Sequence, residues 1–290
     1  MRYGMPWQGS KSRIAEWVID CLPASHTLVD LFAGGCAVTH AALLSGKFER
    51  IIANDLTDSV KVFFAAINGE FEGYSMCASR EEFERYQEED TALALLNSFG
   101  NDRTTYLWGE ELEAIKRPAS LMLSSPSIWE RRQWYRKFVA ALKGFLSGGS
   151  DKRWNELQFH GGLERLESLE RLERLQSLEN INNGSVILSN LSYEEVPIES
   201  DSVIYCDPPY INTGTYLDDF NHEKFYEWLR ECRKKNQQVF ISEYQMPNDF
   251  HEVFSIKKRV SFSRNQNIQK VEKLFVNMGY ESVYTQMNLF

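Results

Sequence analysis

The stretch that most limits the fold runs from residue 28 to 55: LVDLF, then AGG, then CAVTHAALLSG, then RIIAND after a short turn. Two apolar, strand-forming segments joined by a helix of this length make a βαβ unit, and such a crossover joins parallel strands where a tight hairpin cannot. The alternation resumes after residue 185 with SVILSNL, SVIYCD, the helical HEKFYEWLRECRKK, QQVFISE and VEKLFVNM. From about 60 to 160 it gives way to helical stretches rich in Trp, Tyr, Arg and Glu. The expected architecture is α/β, a sheet interrupted by a helical insertion. The division that follows is a discontinuous sheet domain over 1–59 and 181–290, an insertion over 60–160 and a connector over 161–180.

The connector is a repeat, LERLESLERLERLQSLEN (163–180), with Leu at every third position from 163 to 178. Its residues are good helix formers, and Glu167–Arg171 and Glu170–Arg174 stand four apart in the favourable order. A spacing of three falls short of 3.6, so the leucines drift around the axis; a helix winding across the surface is expected. The chain is 43% hydrophobic and 25% charged, ordinary for a globular protein. No apolar run approaches the ~18 residues of a membrane span, and the opening MRYGMPWQGSK has no signal-peptide core. A cytoplasmic protein without a membrane partner is expected. The five cysteines, at 21, 36, 77, 206 and 232, show no C-x-x-C spacing, so buried free thiols are expected and a metal site is not.

Three short segments carry chemistry. In AGG (33–35) a glycine turn lets a ligand approach the backbone at a helix start, and Asp55 ends the next strand about twenty residues on, where an acid can accept hydrogen bonds from both ribose hydroxyls. The run Gly34-Gly35-Cys36-Ala37-Val38 lacks the full G-x-G-x-x-G that brings a backbone against a pyrophosphate. NAD and FAD are disfavoured on that ground, whereas S-adenosylmethionine, with a ribose and a carboxylate but no phosphate, is not. A glycine turn is also an ordinary feature of a βαβ unit. GMPWQGSKS (4–12) only imitates a phosphate-binding loop, since Ser10 separates Gly9 from Lys11 and too few residues precede it for a strand. It reads as a tight turn into a helix starting near Ser12, with Lys11 placed to meet a carboxylate.

The third segment is SVIYCDPPY (202–210). Asp207 falls just past a strand, at the carboxyl edge where open α/β sheets bind ligands. Pro208 and Pro209 cannot donate to a ladder, so they end the strand and stiffen it. The Asp207 carboxylate and the Pro208 carbonyl are two acceptors beside a flat ring, Tyr210. That set suits a ring-bound exocyclic amine, which has two hydrogens to give and a planar base to stack. Holding both hydrogens turns the nitrogen lone pair toward an electrophilic carbon, so positioning and electrostatics do the work and no metal is required.

WQGSK (7–11), LVDLFAGGCAVT (28–39), IIANDL (51–56) and YCDPPY (205–210), in that order and at those separations, resemble the Dam-type (alpha-class) DNA adenine methyltransferases of bacteria and phages. The resemblance implies a Rossmann-like S-adenosylmethionine methyltransferase sheet with a helical target-recognition insertion, in a bacterial cell and encoded by it, a phage or a mobile element. It implies that Trp7 and Lys11 contact S-adenosylmethionine, that Phe32, Gly34 and Gly35 line its pocket, and that Asp55 holds its ribose. Tyr193 matches an aromatic position beside the cofactor adenine. Asp207, Pro208, Pro209 and Tyr210 match the catalytic tetrad, with Asp207 also bordering the cofactor. The chain departs from the family in having Gly9-Ser10 where two glycines usually precede the lysine, and in the repeat.

Net charge is −9, which by itself argues against a partner as anionic as nucleic acid. Its distribution argues the other way: residues 116–153 hold nine Lys or Arg against two acids. An enzyme acting on a base inside a duplex must extrude it, and phosphate contacts offset that cost. Lys116, Arg117, Arg131, Arg132, Arg136, Lys137, Lys143, Lys152 and Arg153, with Trp129, Trp134, Tyr135 and Trp154 among them, form the expected face for double-stranded DNA. The loop 211–220, with Gly214 as hinge, is a candidate lid. The protein is expected to act as a monomer or weak dimer. The same chemistry on cytosine N4 or on adenine in RNA is the alternative, and a catalytically silent DNA-binding protein is a third reading.

Overall fold

In the computed structural model, residues 3–5, 7–68, 70, 77–147, 186–210, 220–259 and 269–278 are described. The 163–180 repeat, Lys152, Arg153, Trp154 and positions 211–219 of the candidate lid lie outside them. Near-continuous apolar runs become five parallel strands, all covered on both faces except the edge strand, where Ile187 and Leu188 are exposed. They are β1 (Thr27–Asp30), β2 (Arg50–Asn54), β3 (Val186–Ser189), β4 (Ser202–Cys206) and β5 (Val239–Glu243). Two more strands, β6 (His251–Arg259) and β7 (Gln269–Val276), complete a seven-stranded sheet in the order β3-β2-β1-β4-β5-β7-β6. The first five strands are parallel, and β7 runs antiparallel to both β5 and β6.

From β1 the chain moves outward to β2 and β3, then returns across the sheet to β4 on the other side of β1. The strand order therefore reverses between β1 and β4, and a crevice opens at their carboxyl ends. Register makes the consequence specific. Asp30 stands opposite Tyr205, so the glycine turn after β1 and Asp207 after β4 rise side by side.

Period-two alternation sends successive residues to opposite layers. Leu28, Val203, Tyr205 and Phe240 pack under α1 (Ala15–Cys21) and α2 (Ala37–Ser45), while Val29, Ile204, Cys206 and Ile241 pack against α8 (His222–Lys234) through Phe225, Leu229 and Cys232. The Asn221 side chain caps α8 by accepting from the Lys224 amide at 3.0 Å, and Arg233 and Lys234 complement the dipole in its last turn. All five cysteines are buried, and none forms a disulfide. Among the described residues no helix is long and apolar enough to cross a membrane.

The insertion holds α4 (Arg80–Tyr86), α5 (Thr91–Asn97), a 3₁₀ turn (Phe99–Asn101), α6 (Glu110–Ser124) and α7 (Ile128–Ser147). Ser79 and Glu82 form a reciprocal capping box at the start of α4, and Glu82 also takes a two-pronged pair from Arg117 of α6, with Arg117 Nη2 at 2.7 Å. One expectation needs correction. The first helix begins at Ala15 rather than near Ser12, because 12–14 form a turn closed by the Ile14 amide on the Lys11 carbonyl. The helix α3 (Ser59–Ile67) lies on the sequence-defined insertion side of residue 60, but its Val60, Phe63 and Phe64 pack with Ala33, Cys36 and Ala53 of the sheet body. Strand β6 was not anticipated.

Gly4 adopts φ +69°; its amide donates to His40 Nδ1 at 3.0 Å, and the Met5 amide donates to the Gly35 carbonyl at 2.7 Å. A Cβ on Gly4 would lie 2.7 Å from the Ala37 nitrogen. Gly4→Ala is expected to cost about 2 kcal/mol or more, read as a lower urea midpoint at unchanged slope. The Arg117 guanidinium, helped by the Ser79 amide and opposed by burial, holds the Glu82 carboxyl down at about 2, from an ordinary 4.5. Its folded value being depressed, the stabilisation is complete above about 4.5 and is lost as pH falls toward 2. Arg117→Met should therefore be less stable than the wild type at pH 7, with the gap narrowing below pH ~4 in denaturant titrations.

Candidate active site

The site is built on the ends of β1, β4 and β7 and on the turn before α1. Strand β4 stops at Cys206, and the two prolines lead the chain out of the sheet with Pro208 buried. Asp207 is left at the mouth, its side chain 18% exposed. Lys11, itself buried, reaches both of its oxygens, with Nζ 2.6 Å from Oδ1 and 2.7 Å from Oδ2. The same ammonium lies 3.3 Å from Glu272 Oε1 and 4.6 Å from the centre of the Tyr210 ring. The Tyr210 hydroxyl donates to Glu272, and Tyr244 meets the Tyr210 ring edge-on at 4.8 Å.

One ammonium between two carboxylates leaves this cluster short of positive charge. Burial pushes Asp207 above the usual carboxylate range, with the Glu272 carboxylate adding to the rise and Lys11 opposing it. Burial works against the Lys11 charge, but the two carboxylates outweigh it and raise its pKa. An excess of acid in a half-closed crevice favours a cationic ligand or a hydrogen-rich amine.

The glycine turn after β1 forms the second wall. Gly34 adopts φ +49°, and a Cβ there would stand 2.7 Å from Trp7 Nε1; one on Gly35 would stand 2.6 Å from Trp7 Cβ. Trp7 therefore lies flush on backbone, which only glycines permit. Asp55 Oδ2 accepts the Gly34 amide at 2.8 Å, and Oδ1 accepts the Thr57 amide and hydroxyl at 2.9 and 2.6 Å. Asp55 thus ties the turn after β1 to the end of β2, with its carboxylate half-buried at the rim. Deeper in, Asp30 accepts the Thr39 amide and hydroxyl on Oδ2, while its Oδ1 meets no donor among the described residues. Burial raises the Asp30 carboxyl to about 7.

Aromatic rings close the third side. Phe32 lies 5.5 Å from Tyr193 and 5.8 Å from Phe220, and Phe225 and Trp228 of α8 back them. The structure thus brings together two sets of sequence-derived residues: Trp7, Gly34, Gly35 and Asp55 on one wall, and Lys11, Asp207 and Tyr210 at the centre, with Phe32 and Tyr193 on the flank. Lys11 meets carboxylates, as its position suggested, but they are the chain's own Asp207 and Glu272.

The basic set divides. Lys116 is only 3% exposed, its ammonium 4.8 Å from the Trp108 ring centre, and Arg117 is paired to Glu82. Lys116 thus belongs to the packing of α6, while the Arg117 side chain, 29% exposed, bridges α6 to α4. Arg131, Arg132, Arg136, Lys137 and Lys143 are exposed along α7, though Arg131 Nε donates to the Ser125 carbonyl at the end of α6. Arg132, Arg136 and Lys143 are spaced to share one helical face. Trp129, 66% exposed, and Tyr135 border it.

Sequence reasoning missed Glu272, Tyr244 and Asp30, and included Phe220 only as the end of the candidate lid. For Glu272 a signal existed: in VEKLFV it alternates with Leu274 and Val276, so a strand reading places an acid on a buried face.

The described residues fit S-adenosylmethionine on three observations: an acid-rich crevice for a sulfonium, an unpartnered buried oxygen on Asp30, and a glycine turn flanked by rings and by Asp55. A family model described as D12 class N6 adenine-specific DNA methyltransferase matches residues 7–288. A search of curated proteins gives no match.

Proposed function

The chain belongs to the D12 class of N6 adenine-specific DNA methyltransferases, and on that premise we propose that it methylates N6 of an adenine extruded from double-stranded DNA, using S-adenosylmethionine. The observation that carries this reading is Asp207, held at the mouth of the crevice between the glycine turn and Tyr210. When bound, the cofactor supplies an electrophilic methyl group on a sulfonium. Trp7, Phe32, Gly34, Gly35 and Tyr193 would line its site, Asp55 would accept from its ribose hydroxyls, and the acidic cluster would favour its positive charge.

The protein's own part is to make a poor nucleophile competent. An adenine amino group shares its lone pair with the ring. The Asp207 carboxylate and the Pro208 carbonyl accept its two hydrogens, which draws the nitrogen lone pair out of that conjugation and aims it. Tyr210 stacks on the base, as the aromatic partner that an unstacked base needs. The nitrogen sheds a proton after transfer; Asp207, with its pKa raised by burial, is placed beside it to take or relay that proton.

Extrusion costs a few kcal/mol of lost stacking, which contacts elsewhere must offset. The exposed cationic face of α7, with Arg132, Arg136 and Lys143 in line and Trp129 and Tyr135 alongside, supports the insertion as the DNA-reading part. Lys116, buried against Trp108, and Arg117, paired to Glu82, support that face through the scaffold of the insertion.

Incubation with labelled S-adenosylmethionine and mixed DNA and RNA, followed by nucleoside analysis, should yield N6-methyladenine from duplex DNA alone; label in N4-methylcytosine or in RNA would overturn the reading. Asp207→Ala should lower single-turnover methyl transfer by about 10²–10³-fold. Wild-type transfer by that variant would remove Asp207 from the chemistry. Reversing Arg132, Arg136 and Lys143 to Glu should weaken DNA binding and flatten its salt dependence by about three phosphate equivalents. An unchanged slope would move the DNA face off α7.

A further inference from the structure

Strand β7 puts three side chains on its buried face: Glu272, Leu274 and Val276, each 1% exposed or less. Two are apolar, as a covered strand face requires. A carboxylate in the first position is a poor choice for stability, because it must be desolvated at a cost that a leucine would not incur. Two of its contacts are at the reaction centre. Oε1 accepts the Tyr210 hydroxyl and lies 3.3 Å from the ammonium that holds both oxygens of Asp207.

Two geometric consequences follow. Tyr210 follows two prolines at the mouth of the crevice, and its hydroxyl is tied to a different strand, so the plane of its ring is set from both ends. The Lys11 ammonium holds both Asp207 oxygens, at 2.6 and 2.7 Å, and pairs with the Glu272 carboxylate at 3.3 Å, so it has two carboxylates between which to share its N–H groups. An amine arriving at Asp207 must displace one of the Lys11 bonds. With Glu272 at hand the ammonium can yield that oxygen and remain paired. Without it, Lys11 would have only Asp207 to hold and would compete with the substrate for it.

We propose that Glu272 is a positioning residue for methyl transfer: it fixes the Tyr210 ring through the hydroxyl and takes over Lys11 as the target amine claims Asp207. The inference rests on the adenine-methylating reading above and adds to it a residue that touches neither base nor cofactor. Its effect should fall on the rate of transfer and spare binding.

The test uses the full chain with duplex DNA and S-adenosylmethionine, comparing Glu272→Leu, Glu272→Gln, Tyr210→Phe and the double variants. Glu272→Leu should lower the single-turnover rate by about 100-fold, the loss expected from a small misplacement of reacting groups, with Kd for cofactor and for DNA changed by less than about threefold. Glu272→Gln keeps an acceptor for the Tyr210 hydroxyl but not the charge, and should recover part of the loss, to about 10-fold below wild type. In combination with Tyr210→Phe the losses should overlap, the double variant falling short of the product of the singles. Glu272→Leu at the wild-type rate, losses that simply multiply, or a loss seen mainly in cofactor Kd would each overturn the proposal. Should Glu272→Leu not fold, as a thermal melt would show, the same cycle built on Glu272→Gln decides. A wild-type chain that methylates no adenine would instead bring down the functional reading itself.

Discussion

One buried ammonium binds the site into a unit. Lys11 comes from the turn before α1, Asp207 from the end of β4 and Glu272 from β7. The three residues are 196 and 65 positions apart along the chain, and what joins them is charge in a crevice that solvent barely enters. Removing the ammonium would leave two carboxylates facing each other across a small gap, a far more costly arrangement than the present one. Every other feature of the site can be described by what it does for this cluster: the prolines aim Asp207, the sheet order brings β7 within reach, and the turn at 12–14 fixes where Lys11 starts.

Strand order does the rest of the placement. Because the chain reverses direction across the sheet between β1 and β4, the glycine turn and the tetrad are neighbours although 170 residues and a whole insertion separate them. Asp55 then links the turn to the next strand by accepting the Gly34 amide. A ligand at the turn and a base at Asp207 would therefore be close by construction.

Much of this was legible in the residues. LVDLF and SVIYC are apolar enough to declare covered strands, and a doubled proline after an acid ends a strand as few other dipeptides do. What was not legible depended on partners far away. β6 sits at the sheet edge with charged residues along it and is recognisable as a strand mainly by its pairing with β7. Lys116 reads as a surface cation until helical spacing is applied: it falls among Ile115, Ala119 and Ser120 on the buried face of α6, with the Trp108 ring supplying the compensating electron density. Tyr244 is an aromatic of a common kind, and nothing in its neighbourhood in the chain marks it for the crevice.

The wide separation of strand partners has a consequence for how the protein comes into being. β1 pairs on one side with β2, about twenty residues on, and on the other with β4, about 175 residues on. During synthesis the first half-sheet must therefore wait, one flank of its central strand bare, until most of the polypeptide has emerged. β7, which brings the second carboxylate, is made later still. The cluster of Lys11, Asp207 and Glu272 is thus among the last parts of the fold that synthesis can complete.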